Sequence, residues 1–253
     1  MPKILITGAS SGFGLATTEL FLAQGWEVVA TMRTPQAYAM PAHDRLHILS
    51  LDVTDAASIA QAVADAGVVD ALVNNAGVGM LNVLEGVDMA KARELFETNV
   101  LGTMAMTQAV LPGMRARRIG IIVNISSSVT LRPFPALSVY SASKAAINAF
   151  TESLALETAQ FGIRARLVLP GSAPTTAFGK NAVARMGMNV PAPYEAFVQD
   201  YFATMRNSTK KTEANDVARA VWRAVTEPAA PMRLPAGADA EAIFSQTAVQ
   251  ANG

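Results

Sequence analysis

Tyr140 and Lys144 stand four residues apart in the stretch YSASK, with Ser141, Ala142 and Ser143 between them. On a helix, positions four apart lie one above the other on the same face, so the phenol and the amine would be neighbours. Such a pair can move a proton: a free tyrosine titrates near pH 10, and a cation beside it favours the phenolate and lowers that value. The same five residues also suit an ordinary exposed helix face, and the rest of the chain has to decide between the two.

A second group of residues points to a nucleotide. In ILITGASSGFG, glycines 8, 12 and 14 separate an apolar run from a helix-compatible one. Gly8 can make the tight turn, Gly12 removes a Cβ where backbone must approach phosphate, and Gly14 allows close helix–strand packing. Together with Ser10, Ser11 and Phe13 they form a candidate phosphate turn, because the helix beginning there offers unpaired N–H groups to a pyrophosphate. Further on, VVATMRTP places Met32 where an acidic residue would accept from the adenosine ribose, and Arg33 follows it. An arginine can fork onto a 2′-phosphate that a carboxylate would repel, so the pair favours NADP(H), with NAD(H) as the alternative. The competing reading of Arg33 is a solvated surface side chain.

These residues need a scaffold. KILIT, EVVATM, LHILSL, DALVNN, GIIVNIS and IRARLVLP are short, β-branched runs spaced by helix-compatible stretches, the signature of βαβ units. The first connecting helix is expected from near Phe13 through Ala16, Leu20 and Ala23, ending at Gly25. The expected fold is α/β: one Rossmann-type, doubly wound parallel sheet with helices on both faces, in a single domain over 1–253. On such a sheet ligands bind outside the carboxyl ends of the strands. Asp52 and Val53, after LHILSL, and Asn75, Ala76 and Gly77, after DALVN, fall on that edge. Asp52 could accept from the adenine amino group and Gly77 could let the backbone pass beside the adenine ribose; either could instead be a strand-terminating cap or turn. The region 176–212 mixes prolines and glycines with aromatic and methionine side chains, and suits either a substrate lid or a surface insertion with a short packed helix.

Composition narrows the function classes. Half of the 253 residues are hydrophobic and 16% are charged, enough apolar material for a sheet buried on both faces. Twenty basic residues balance twenty acidic ones without a basic block, which argues against nucleic acid as a partner. No apolar run reaches membrane-spanning length and MPKILITGAS enters a strand directly, so a soluble, cytoplasmic protein is expected. Without cysteine there is no disulfide, thiolate nucleophile or cysteine-ligated zinc. His43 and His47 are the only histidines, and LHILSLDV around the second reads as strand, so no metal site is expected.

The ordered set TGASSGFG, NNAG, NVLG, ISSS, YSASK and PGSAPT, spread over nearly the whole chain, resembles the short-chain dehydrogenase/reductase family. The resemblance implies that Tyr140 is the proton donor and acceptor and that Lys144 is its electrostatic partner, which also grips the nicotinamide ribose. It makes Ser127, thirteen residues before Tyr140, the carbonyl-orienting hydroxyl, and gives Asn99 a water linking Lys144 to solvent. After Pro170 and Gly171 the family usually has a small residue, an aliphatic one, any residue and threonine. Here Ser172, Ala173, Pro174 and Thr175 follow, so Thr175 and the backbone of Ala173 would meet the nicotinamide carboxamide, while Pro174 cannot donate a hydrogen bond. Phe13 replaces the usual isoleucine of the glycine turn, and Val129–Thr130 replace small residues.

VVATMR and RLPAGADA look most like the hydroxysteroid- and retinol-dehydrogenase-like branch of the family. Phe178, Met186, Met188, Tyr194 and Phe197 would line an apolar site for an aldehyde, ketone or secondary alcohol, and Lys180 and Arg185 leave room for an acidic group. Ala142, Ala145, Ala146 and Ala149 would let a second helix approach closely, as in the family's dimers and tetramers, or else face the parent sheet. Two other classes compete. A catalytically silent nucleotide-binding sensor is opposed by the intact Asn99, Ser127, Tyr140 and Lys144. An epimerase or dehydratase of the extended relatives is opposed by the short stretch after Thr212.

Overall fold

The computed structural model describes residues 1–35, 42–174, 190–206 and 209–250. Its strands are β1 (Lys3–Thr7), β2 (Glu27–Met32), β3 (Leu46–Ser50), β4 (Ala71–Asn74), β5 (Gly120–Ile125), β6 (Ile163–Pro170) and β7 (Arg233–Ala236). They form one sheet in the order β3-β2-β1-β4-β5-β6-β7, with every neighbouring pair parallel. The six expected strands are all present. β7 is additional, and its RLPA gives little strand signal because it contains a proline; Pro235 is tolerated because β7 is an edge strand.

Alternation sorts the core into two layers. Ile4 and Ile6 of β1, with Val28, Ala30, Val73 and Val123, face one side and pack under α1 (Gly12–Ala23) and a later helix over Ala214–Thr226. Phe21, Trp26 and Trp222 meet edge-to-face there, with ring centroids 5.1 to 6.3 Å apart. Leu5, Val29, Leu72, Ile122 and Ala165 face the other side, under α2 (Ala56–Ala66), α4 (Gly102–Arg117) and α5 (Ser138–Ala159). The helix of the first crossover ends at Ala23, and Gly25 follows with φ +85°, a conformation that stops a helix and suits glycine.

The helix α3 (Met89–Phe96) continues through a wide π turn, Glu97–Leu101, into α4. Later come α6 (Glu195–Arg206), α7 (Ala214–Thr226) and α8 (Ala238–Gln250). Of the expected lid, 190–206 and 209–212 are described. A 3-10 turn at Ala192–Tyr194 leads into α6, whose Val198 is buried against Val83 and Ala136. Tyr194 and Phe197 are exposed, while Phe178, Lys180, Arg185, Met186 and Met188 lie outside the described residues. On α5, Ala142, Ala145 and Ala149 are exposed and Ala146 is half-buried, so three of the four alanines face away from the sheet. Among the described residues no helix is long and apolar enough to cross a membrane.

The strand order reverses between β1 and β4, because the first three strands build outward one way and the rest the other way. A crevice at such a switch point, outside the carboxyl ends of the strands, is where open α/β sheets hold ligands. Gly8, Arg33, Asp52, Gly77, Ser127 and Gly171 all follow those ends.

Candidate active site

Glycine geometry shapes the turn between β1 and α1. Gly8 and Gly12 have φ of +67° and +55°. A Cβ on Gly14 would lie 2.6 Å from the Asn75 amide nitrogen, 2.9 Å from Ala9 Cα and against the Gly8 carbonyl oxygen, so no other residue fits that contact. Ser11 caps α1 in extended conformation without a side-chain hydrogen bond, and the first turn carries no acidic residue. The leading N–H groups of α1 therefore meet no carboxylate or serine acceptor from their own turn. This fits an anionic dinucleotide phosphate. Ser10 and Ser11 are exposed at its rim, and Phe13 packs against the core.

Asn75, expected at the cofactor, spends its side-chain amide inside the protein: it donates to the carbonyls of Thr7 and Gly8 at 2.8 and 2.9 Å. Thr7 returns the link, since its hydroxyl oxygen accepts from the backbone N–H groups of Asn75 and Ala76 at 3.0 and 2.9 Å. These bonds clamp the ends of β1 and β4 together at the switch point. Sequence reasoning gave Thr7 no role, although its place directly before Gly8 is the signal.

Arg33 is exposed beyond β2, behind a buried Met32. Asp52 follows β3, and its Oδ1 accepts from the Thr54 N–H at 2.9 Å and hydroxyl at 2.7 Å. Those two bonds, then the charge of Arg33, hold its carboxyl below the usual value. Asp52 therefore builds its own turn as well as standing at the ligand edge. Val53 is buried in the core, where its carbonyl would lie 2.9 Å from a Cβ on Gly102. His43 Nδ1 accepts from the Arg45 N–H, and His47 meets Glu27 at 3.0 Å.

At the other end of the crevice, Tyr140 and Lys144 lie on α5 and are both buried, at 8% and 6% exposure. The exposed-face reading of YSASK is therefore excluded. Tyr140 and Ser127 share a side-chain hydrogen bond. The Ser127 oxygen also accepts from the Val129 N–H at 3.3 Å, and Thr130 donates to the Ser127 carbonyl at 2.8 Å, so Val129 and Thr130 brace the serine in a 3-10 turn. Lys144 Nζ donates to the carbonyl of Ile125, the last residue of β5, at 2.9 Å, and lies 5.9 Å from the centre of the Tyr140 ring.

The electrostatics differ from the sequence expectation. Burial pushes the Tyr140 phenol above its ordinary value, and the hydrogen bond from Ser127 only partly opposes this. Burial acts on Lys144 as well: the amine is stripped of water and drops from 10.5 to about 8. The pair is a protonated phenol beside an amine that loses its charge just above neutrality.

Asn99 sits in the π turn, a backbone irregularity common at functional sites. Its Oδ1 accepts from the Val78 N–H at 2.8 Å and its Nδ2 donates to the Val78 carbonyl at 2.9 Å. Nδ2 also reaches the Ser143 hydroxyl at 3.3 Å, and that hydroxyl donates to the Tyr140 carbonyl at 2.7 Å. Ser143, read from sequence only as small, thus joins Asn99 to the helix that carries Tyr140. A Cβ on Gly77 would lie 3.2 Å from Asn99 Oδ1 and 3.7 Å from Lys144 Nζ, so a glycine there keeps open the space both polar groups face. Pro170 ends β6, and Gly171 and Ala173 continue along the same edge; Thr175 lies outside the described residues.

Residues 2–186 match the short chain dehydrogenase family. The chain is 38% identical over 238 residues to an uncharacterized oxidoreductase, YusZ, of Bacillus subtilis, covering 88% of this chain and 84% of that one. It is 42% identical over 188 residues to human retinol dehydrogenase 8, a match that spans 70% of this chain and 60% of that protein. A short-chain dehydrogenase from Streptomyces avermitilis superposes with a TM-score of 0.83 at 35% identity, over 100% of this chain and 94% of that one. Two further similar structures hold a dinucleotide. One, from Burkholderia cenocepacia, is in complex with NADP (27% identity, TM-score 0.80, 99% and 94% covered). The other, a 3-ketoacyl-(acyl-carrier-protein) reductase from Brucella melitensis, is complexed with NADH (26%, TM-score 0.77, 92% and 96% covered). On the matched motifs, the parallel sheet and these relatives together, this chain belongs to the short-chain dehydrogenase/reductase family of oxidoreductases.

Proposed function

We propose that the protein is an NADP(H)-preferring dehydrogenase/reductase that interconverts an apolar carbonyl compound and its secondary alcohol, with Tyr140 as general acid and base. The carrying observation is the buried Tyr140 phenol hydrogen-bonded to Ser127 with Lys144 one turn away. When bound, the nicotinamide supplies the hydride that reduces the carbonyl carbon, or accepts it from the alcohol.

The chain's own residues handle the proton. Burial keeps the Tyr140 phenol protonated through neutral pH, the form an acid needs in reduction. Ser127, whose oxygen accepts the Val129 N–H and whose hydroxyl is shared with Tyr140, turns its single hydrogen to the oxygen that becomes an alkoxide when substrate is bound. As Tyr140 gives its proton to that oxygen, the cation on Lys144 offsets the charge left on the phenol. Asn99 and Lys144 face the space that Gly77 leaves open, which suits a water that returns a proton.

Support for NADP(H) comes from Arg33: among the described residues no carboxylate lies within 4 Å of it, so its fork is available to a 2′-phosphate. An apolar substrate is supported by Met80, Leu95 and Leu137, which cluster around Tyr140, and by the retinol dehydrogenase among the relatives. The exposed alanine face of α5, with Leu156 at 82% exposure near its end, supports a homodimer or homotetramer. The test is a panel of apolar aldehydes and ketones with NADPH and NADH, run on wild type and Tyr140→Phe. Turnover lost in the variant with NADPH binding kept is the expected result, and turnover that survives the substitution refutes the acid–base assignment. Binding without turnover on the whole panel would favour the silent-sensor reading.

A further inference from the structure

The loop that follows β6 is held by residues from far along the chain. Gly171 N–H donates to the Thr212 hydroxyl oxygen at 2.9 Å, and Ser172 N–H donates to Asp239 Oδ2 at 2.6 Å. The Thr212 hydroxyl donates in turn to Asp239 Oδ1 at 2.7 Å, and Thr212 N–H donates to the Ser172 carbonyl at 2.9 Å. One carboxylate thus uses both oxygens to tie two consecutive residues of the loop, Ser172 directly and Gly171 through Thr212, to the first turn of α8. Thr212 is 1% exposed, so the bonds of its hydroxyl are shielded from competing water, whereas the Ser172–Asp239 bond lies at the surface.

Two glycines make the closeness possible. A Cβ on Gly171 would collide with the Asp239 carboxylate, and a Cβ on Gly237, whose φ is +97°, would collide with the Thr212 side chain. The loop also needs an outside anchor, because Pro174 has no N–H and cannot tie the next turn of backbone to itself. A carboxylate is the fitting anchor: it only accepts, and its bonds from N–H and O–H groups are about twice as strong as neutral ones.

We infer that Asp239 is the positioning residue that sets the path of the nicotinamide-facing loop Gly171–Ala173, acting through Ser172 directly and through Thr212 on Gly171. This rests on the reading above that the loop meets the nicotinamide carboxamide. The geometry distinguishes two substitutions. Asp239→Ala removes both links. Asp239→Asn keeps them, because its amide oxygen can accept the Ser172 N–H while its amide nitrogen donates to the Thr212 oxygen, whose hydrogen then turns to the Ala236 carbonyl 3.0 Å away.

The experiment compares affinity for NADPH with affinity for 2′,5′-ADP, which carries the adenosine end but no nicotinamide; NADH and AMP form the parallel pair. Asp239→Ala is expected to weaken NADPH about tenfold and to leave 2′,5′-ADP within about twofold of wild type, while Asp239→Asn stays within about threefold for both. Unchanged 2′,5′-ADP binding also shows that the variant is folded. Thr212→Val, which removes the hydroxyl between Gly171 and Asp239 but leaves the Ser172–Asp239 bond, should show the same split in smaller measure and keeps the test independent of one variant. Equal losses for NADPH and 2′,5′-ADP, an unaffected NADPH affinity, or an Asn variant as weak as the Ala variant would each overturn the inference. Failure of the underlying reading looks different: wild type itself would bind NADPH no more tightly than 2′,5′-ADP, and the assignment of Asp239 would fall with it.

Discussion

Lys144→Met is expected to stabilise the fold at neutral pH while abolishing turnover. The amine is buried and its pKa falls from 10.5 to about 8. At about 1.36 kcal/mol per pKa unit, keeping it charged near pH 7 costs the folded state about 3 kcal/mol. Methionine fills a similar volume without a charge, but it loses the hydrogen bond to the Ile125 carbonyl, worth about 1 kcal/mol, leaving a net gain of about 2 kcal/mol. The sign with pH follows from where the proton is held. The folded pKa lies below the unfolded one, so between about pH 8 and pH 10.5 the unfolded chain binds the extra proton and wild-type stability rises with pH. The advantage of the variant should therefore shrink by about 2 kcal/mol between pH 7 and pH 9.5. Urea unfolding of both proteins at the two pH values, without added nucleotide, reads this difference directly, because titrations common to both cancel. A variant less stable than wild type at pH 7, with a gap that does not change with pH, would refute the claim that burial of a charged Lys144 is a standing cost.

The same titration predicts that reductive turnover falls as pH rises through about 8, since an uncharged Lys144 cannot offset the phenolate left by Tyr140; kcat held flat to pH 10 would count against it. Arg33→Ala should weaken NADPH by about tenfold or more and NADH by less than about twofold, measured by fluorescence titration, and equal losses would remove the argument for NADP(H). Gly14→Ala, whose new methyl would lie 2.9 Å from Ala9 Cα and 2.6 Å from the Asn75 amide, should lower stability by about 2 kcal/mol or more and abolish dinucleotide binding; a wild-type melting temperature with intact binding would show that the turn can repack.

Much of the scaffold was legible because it depends on local spacing. Six strands, the glycine turn and the limits of α1 follow from runs of β-branched residues, from glycines that need positive φ or close approach, and from Gly25 after the last apolar helix position. The four-residue spacing of Tyr140 and Lys144 likewise placed both on one face of α5. What that face meets was decided elsewhere. Sheet order brings Ser127 and Ile125 to Tyr140 and Lys144, and the resulting burial, summed over distant neighbours, raises the phenol's pKa where adjacency to a cation alone pointed downward. The same holds for the edge strand β7, which is a strand because it pairs with β6, and for Asn99, whose amide finds Val78 only once α3 and α4 join through a π turn. Asp239 is the extreme case. It lies 67 residues from the Ser172 it binds, and no period in the chain links them. Spacing along the chain determines which residues share a face; water exclusion and the partners of buried polar groups arise only when the sheet brings those faces together.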